Sequence, residues 1–159
     1  MKKIKFLMKL NKENKLEVIE PSEEIKQSYI EKSESNLESS KILLNNNKLE
    51  ESIILTYYSL YNLLTALLFK TGIKCENHSA SIILMKELFN LNNSEISNAK
   101  SERIDKQYYT DFEVTKQEVI EAIQNAEEFN NNLFDFISKL NNEDINTYRK
   151  SFKTLINLK

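Results

Sequence analysis

The chain has 159 residues, 40% of them hydrophobic and 29% charged, which is enough to bury the core of one domain. One Gly and one Pro exclude a fold that needs many tight turns, as all-β folds do. The formal net charge of −2 excludes a strong overall attraction to nucleic acid. A single Cys excludes an intramolecular disulfide and favours a cytoplasmic protein. The composition therefore predicts an all-α fold made of a few long helices.

We expect residues 1–20 to be an N-terminal lead-in segment and residues 21–159 to be a single helical-bundle domain. The lead-in is either extended or a short helix, and the apolar residues of Leu16–Glu20 alternate with charged ones. Its first residues are basic and apolar, but charge follows too soon for a signal peptide. The basic residues near both ends of the chain either serve solubility or contact RNA or an acidic partner.

The first predicted helix begins at Ser22, whose hydroxyl is suited to cap its N-terminus. Two acids follow at once and suit the positive end of the helix dipole. The helix ends near Asn45–Asn47, because Asn is a poor helix former.

The second predicted helix runs from about Lys48 to Thr71, with apolar residues at spacings of three and four. It has no charged residue between Ile53 and Phe69, but polar residues interrupt this run, which favours a core helix over a membrane span. Gly72 is suited to the left-handed position that closes the helix.

Four further helices are predicted after Gly72. The third begins near His78 or Ser79, and the fourth covers about Glu95–Tyr108. The fifth opens with a capping box at Thr115–Glu118, and a short last helix follows Asn141–Asp144. Long helices joined by short connections predict an antiparallel helical bundle of five to six helices.

Several kinds of active site are excluded by residue type. One Gly cannot form a Gly-rich phosphate loop, and one His with one Cys cannot form a catalytic zinc site within one chain. A carboxylate-bridged dimetal site in a bundle needs a Glu three residues before a His, where Cys75 stands before His78. A Cys75–His78 nucleophile pair lacks a third, orienting group. We therefore expect neither a metal nor a cofactor.

The remaining chemistry centres on His78, the single His of the chain. Metal-free cleavage of RNA needs a base for the 2′-hydroxyl proton and a cation for the charge that develops on phosphorus. Lys70, Lys74 and Arg103 are candidates for that cation. The alternative is that His78 only caps the third helix through a ring nitrogen.

Four segments in order resemble the HEPN (higher eukaryotes and prokaryotes nucleotide-binding) family, in particular its small stand-alone microbial members. They span nearly all of the chain from Leu16 to Ile137 and include the tyrosine-rich helix, the Gly and the corner at Asn77-His78. The four segments are residues 18–44, 51–79, 101–109 and 118–129.

The resemblance implies a helical bundle that dimerises and cuts RNA without a metal. Many members of the family are such ribonucleases, often toxins that a nucleotidyltransferase antitoxin silences. The resemblance therefore implies either a ribonuclease of this kind or a relative with weakened activity. The family's motif is an Arg, four to six residues and then a His. It would make His78 catalytic and Asn77 its polar neighbour, but the Arg is missing. Three residues separate Lys74 from His78, one fewer than the motif needs. Seven residues separate Lys70 from His78, one more than the motif allows.

The candidate site is therefore His78 with Lys74 and Asn77 for catalysis, and Lys70, Arg103 and Tyr108 for binding RNA or a nucleotide. Because Lys is a point charge, it cannot replace the two-pronged phosphate contact of an Arg. The predicted partners are a second copy of the chain, the antitoxin and RNA, but no membrane. The alternative function is a non-catalytic, dimeric helical interaction module or a nucleotide-binding module. Tyr57 and Tyr58, which match paired aromatic positions of the family, are either core residues or part of the site.

Overall fold

The structure is a computed structural model that describes residues 1–108 and 113–157, and the side chains of residues 1–104 and 113–157. Helices dominate this part of the chain, which confirms the all-α prediction. The count of seven helices there exceeds the predicted five to six. The elements are α1 (Lys2–Lys12), β1 (Leu16–Val18), α2 (Glu23–Asn45), α3 (Leu49–Lys70), β2 (Ile73–Cys75), α4 (His78–Glu87), α5 (Ser94–Tyr108), α6 (Lys116–Lys139) and α7 (Asn142–Asn157).

The additional helix, α1, lies in the N-terminal segment, which holds both a helix and an extended stretch. Leu7 of α1 and Leu16 of β1 are fully buried, so this segment contributes to the core. Strand β1 pairs antiparallel with β2, with Leu16 opposite Cys75 and Val18 opposite Ile73. This two-stranded ribbon fixes the chain just before α4 begins. A domain boundary at residue 20 stays a prediction.

Helices α2 and α3 pack along a seam of small hydroxyl side chains. The Ser40 hydroxyl lies 3.0 Å from the carbonyl of Ser52 and 2.6 Å from the hydroxyl of Thr56. Further along the seam, Ser33 donates to the carbonyl of Ser59 at 2.7 Å. These buried hydroxyls find partners on the facing helix, which a buried polar group needs. The small side chains let the two helices lie close together.

Helix α3 is the central helix of the bundle. By length and composition it could cross a membrane, but 67% of its most apolar 18-residue window is buried inside the protein. Leu60, Leu64 and Leu67 are almost completely buried. Such burial fits the predicted core helix.

The end of α3 is closed by Gly72 and by a side chain from the far end of the chain. Gly72 has φ of +73°, which confirms its predicted left-handed conformation. Arg149 of α7 donates to the carbonyls of Ile19 at 2.6 Å and of Thr71 and Gly72 at 3.2 Å each. One guanidinium thus joins α7, the end of α3 and the residue after β1.

Candidate functional site

His78 is the first residue of α4, and its imidazole lies against α3. Asn77 caps the helix, because its side-chain oxygen accepts from the Ala80 amide at 2.9 Å. The hydroxyl of Tyr57 lies 2.7 Å from Nδ1 of His78. The ring of Tyr61 stacks on the imidazole, with 3.7 Å between ring centroids and 16° between planes. Tyr57 and Tyr61 are four residues apart on one face of α3, so together they fix the position and tilt of the ring.

The positive charge at this site comes from α5. The guanidinium of Arg103 lies 5.1 Å from the ring centroid of Tyr57 and 5.7 Å from that of Tyr58. One turn earlier, the ammonium of Lys100 donates to the hydroxyl of Ser79 at 2.7 Å. Because these cations are three residues apart, they lie on the same side of α5. Two cations therefore lie close enough to the imidazole to lower its pKa.

The site holds a neutral imidazole and a neutral phenol. Burial lowers the pKa of His78 below its ordinary value of 6.5, and the charges of Arg103 and Lys100 lower this pKa further. Burial raises the pKa of Tyr57, which therefore keeps its proton. A neutral His carries one ring proton. In the tautomer whose Nδ1–H donates to Tyr57, the lone pair of Nε2 is free to act as a base.

The free energy of unfolding is expected to decrease as the pH falls from 7.5 to 5.5. The unfolded chain takes up a proton at His78 near its ordinary pKa of 6.5, whereas the folded chain resists protonation until lower pH, so acid favours unfolding. Urea unfolding at both pH values measures this change. The His78→Gln variant should show a smaller decrease than the wild type. An equal decrease in both proteins would contradict the lowered pKa.

The two lysines predicted from motif spacing are engaged by carboxylates. Lys74 of β2 pairs with Glu76 at 3.0 Å and with Glu17 at 3.8 Å. The mostly buried Lys70 pairs with Glu23 at 3.4 Å. Their roles toward RNA stay predictions, as do those of His78, Asn77 and Arg103. Tyr108 is also a predicted contact, and its side chain lies outside the described residues.

Cys75 is not arranged as a nucleophile for His78. Its thiol contacts the Asn77 carbonyl at 3.3 Å, and burial raises the pKa of Cys75, so the thiolate is disfavoured. Among the described residues, no group of three or more His, Cys, Asp and Glu could hold a metal ion.

The motif spacing missed three residues around the imidazole. Lys100, Ser79 and Tyr61 contact the site or act on its charge, yet none belongs to the Arg…His pattern. The spacing of three between Lys100 and Arg103 was the one signal that could have paired the two cations.

Fold and site together define an all-α bundle protein with one imidazole between a tyrosine-rich core helix and two cations. The sequence matches the HEPN domain family over residues 26–147, which covers the chain from α2 into α7 and includes this site. The chain belongs to the HEPN family. Comparison with curated proteins gives no match.

Proposed function

We propose that this HEPN protein acts on RNA as a metal-independent endoribonuclease of the toxin type, or as a weakened relative. The observation that carries the proposal is that Tyr57 contacts both groups: its hydroxyl lies 2.7 Å from Nδ1 of His78, and its ring centroid lies 5.1 Å from the Arg103 guanidinium. This Arg, 25 positions along the chain, supplies a guanidinium beside the imidazole although the motif Arg is absent. A neutral base and a fixed cation are the minimum that metal-free RNA cleavage requires.

In the proposed reaction, Nε2 of His78 takes the proton from a ribose 2′-hydroxyl. The 2′-oxygen then forms a bond to phosphorus while the bond from phosphorus to the 5′-oxygen breaks, leaving a 2′,3′-cyclic phosphate. Arg103 stabilises the negative charge that develops on the phosphoryl oxygens. The leaving 5′-oxygen needs a proton, which water or the protonated imidazole of a second copy would supply.

A homodimer and an antitoxin are the proposed protein partners. A symmetric dimer would bring two His78 imidazoles to one cleft, so that one could act as the base and the other as the acid. The toxin-type activity requires a silencing partner in the cytoplasm, and we propose a nucleotidyltransferase for that role. Co-purification of such a protein with the tagged chain would support this partnership.

Incubation with a labelled single-stranded RNA in EDTA tests the activity. The expected products end in a 2′,3′-cyclic phosphate, and the rate does not increase when Mg²⁺ replaces EDTA. A DNA strand of the same sequence is the control, because it lacks the attacking hydroxyl and should stay intact. An uncut RNA, or cleavage that depends on Mg²⁺, would contradict the proposed ribonuclease.

The second candidate function is a non-catalytic nucleotide-binding or interaction module. It is favoured by the contacts of His78 itself, since Tyr57 engages Nδ1 and Tyr61 covers one face of the ring. A His whose only role is to hold α4 against α3 would make the same contacts. A rise in melting temperature with nucleotides, together with uncut RNA, would favour this second function.

A further inference from the structure

We propose that Lys100 is a second anion-binding cation of this site and contacts the same phosphate group as Arg103. The inference rests on the proposed function only for the source of the phosphate, which is an RNA chain. The surroundings of the Lys100 ammonium support the anion site itself.

The ammonium of Lys100 is part-buried and held by a neutral group. Its donor contact is the Ser79 hydroxyl at 2.7 Å. Within the described side chains, Lys100 belongs to none of the ion pairs with a carboxylate. Lys70, whose side chain is mostly buried, pairs with Glu23 as a buried Lys ordinarily does. Because this part-buried cation contacts a hydroxyl and not a carboxylate, it is positioned to bind an anion that comes from outside the chain.

The spacing of Lys100 and Arg103 on α5 would allow both to contact one phosphate group. Its ammonium reaches α4 at Ser79, and the guanidinium of Arg103 reaches α3 at Tyr58 with 3.4 Å between Nη1 and the hydroxyl. Residues three apart on a helix have Cβ atoms about 5–6 Å apart, so both cations can reach different oxygens of one phosphate. Ser79 also lies in the first turn of α4, where the helix dipole favours negative charge.

An anion bound here would act on the imidazole directly. Lys100 and Arg103 both disfavour the protonated form of His78. A phosphate that contacts both cations would offset their charge and stabilise protonated His78. Because His78 is the single His of the chain, its imidazole signals in NMR report on this site alone.

NMR titration with inorganic phosphate at constant ionic strength tests the inference on the whole chain. Phosphate is expected to raise the pKa of His78 in the wild type, and Lys100→Gln should weaken phosphate binding at least threefold. Lys100→Arg should largely restore binding. Lys86→Gln is the matched control, since Lys86 lies at the other end of α4, and it should leave binding unchanged. Equal phosphate affinity in Lys100→Gln and wild type, or no response of His78 to phosphate, would overturn the inference.

A second arm uses an RNA carrying 2′-O-methyl groups, which binds without being cut. Each phosphate contact contributes about −0.7 to the slope of log affinity against log salt for a single strand, so Lys100→Gln should reduce the slope by about that amount. A lower melting temperature with an unchanged slope would mean that Lys100 only joins α5 to α4, and would overturn the inference.

The two arms separate this inference from the proposed function. If phosphate binds through Lys100 but RNA neither binds nor is cut, the RNA-directed function is wrong and the anion site stands. If RNA is cut while Lys100→Gln changes neither phosphate nor RNA binding, the function stands and the role of Lys100 is wrong.

Discussion

Replacing His78 by Ala is expected to lower the rate of RNA cleavage by about 10²- to 10⁴-fold, the usual contribution of a positioned general base. The imidazole is a neutral base that contacts Tyr57, the residue under the Arg103 guanidinium, and Tyr57 and Tyr61 hold the ring against α3. Single-turnover cleavage of a labelled RNA in EDTA measures the effect on the chemical step.

Loss of the imidazole also removes contacts between α3 and α4, so the fold needs its own control. Tyr61→Phe keeps the ring that stacks on His78 and should cut RNA at nearly the wild-type rate. His78→Gln keeps a polar side chain near Tyr57 and should lose cleavage while melting close to the wild type. If either His78 variant melts like the wild type and cuts RNA at an undiminished rate, His78 is not the base.

Gly72→Ala is expected to reduce the free energy of unfolding by about 3 kcal/mol, since it adds a steric conflict to an unfavourable backbone conformation. At φ of +73°, a side chain costs about 1–2 kcal/mol by itself. The added Cβ would also lie 2.5 Å from the carbonyl oxygen of Ile19 and overlap the guanidinium of Arg149. Because the Ile19 oxygen belongs to the backbone, relief requires the β1–α2 connection to shift. Urea unfolding of both proteins gives the difference.

Asn47→Ala is the matched control for Gly72→Ala. Asn47 also has a left-handed backbone, with φ of 57°, but it lies exposed between α2 and α3. Its replacement should cost only the conformational part, about 1 kcal/mol. If Gly72→Ala reduces the free energy of unfolding no more than Asn47→Ala does, Arg149 and Ile19 can move to accommodate the added Cβ without a measurable cost.

The helices were predictable because their signals are local. Ser22 accepts from the Ile25 amide, and Thr115 and Glu118 form the capping box that their spacing of three predicts. The pairing of β1 with β2 was not predictable, because it joins residues about 57 positions apart through strands of three residues each. Nothing in so short a run separates a strand from a loop.

The sequence predicted only those parts of the site that depend on residues adjacent in the chain. The cap at Asn77 and the start of α4 at His78 follow from the local sequence. The cations do not, because Arg103 lies over the Tyr57 ring only through the packing of α5 on α3. Motif spacing instead predicted Lys74 as the cation. In the structure Lys74 forms an ion pair with Glu76, which is two residues away.

Arg149 also bears on the order in which the protein folds during synthesis. Ile19 and Arg149 are 130 residues apart, yet the guanidinium of Arg149 binds the carbonyls at the corner that leads to His78. N-terminal parts of a chain emerge from the ribosome first and begin to fold there. The ribbon and α3 therefore leave the ribosome while the carbonyls of Ile19, Thr71 and Gly72 still lack this partner. The corner beside the site is completed only after residue 149 has left the ribosome.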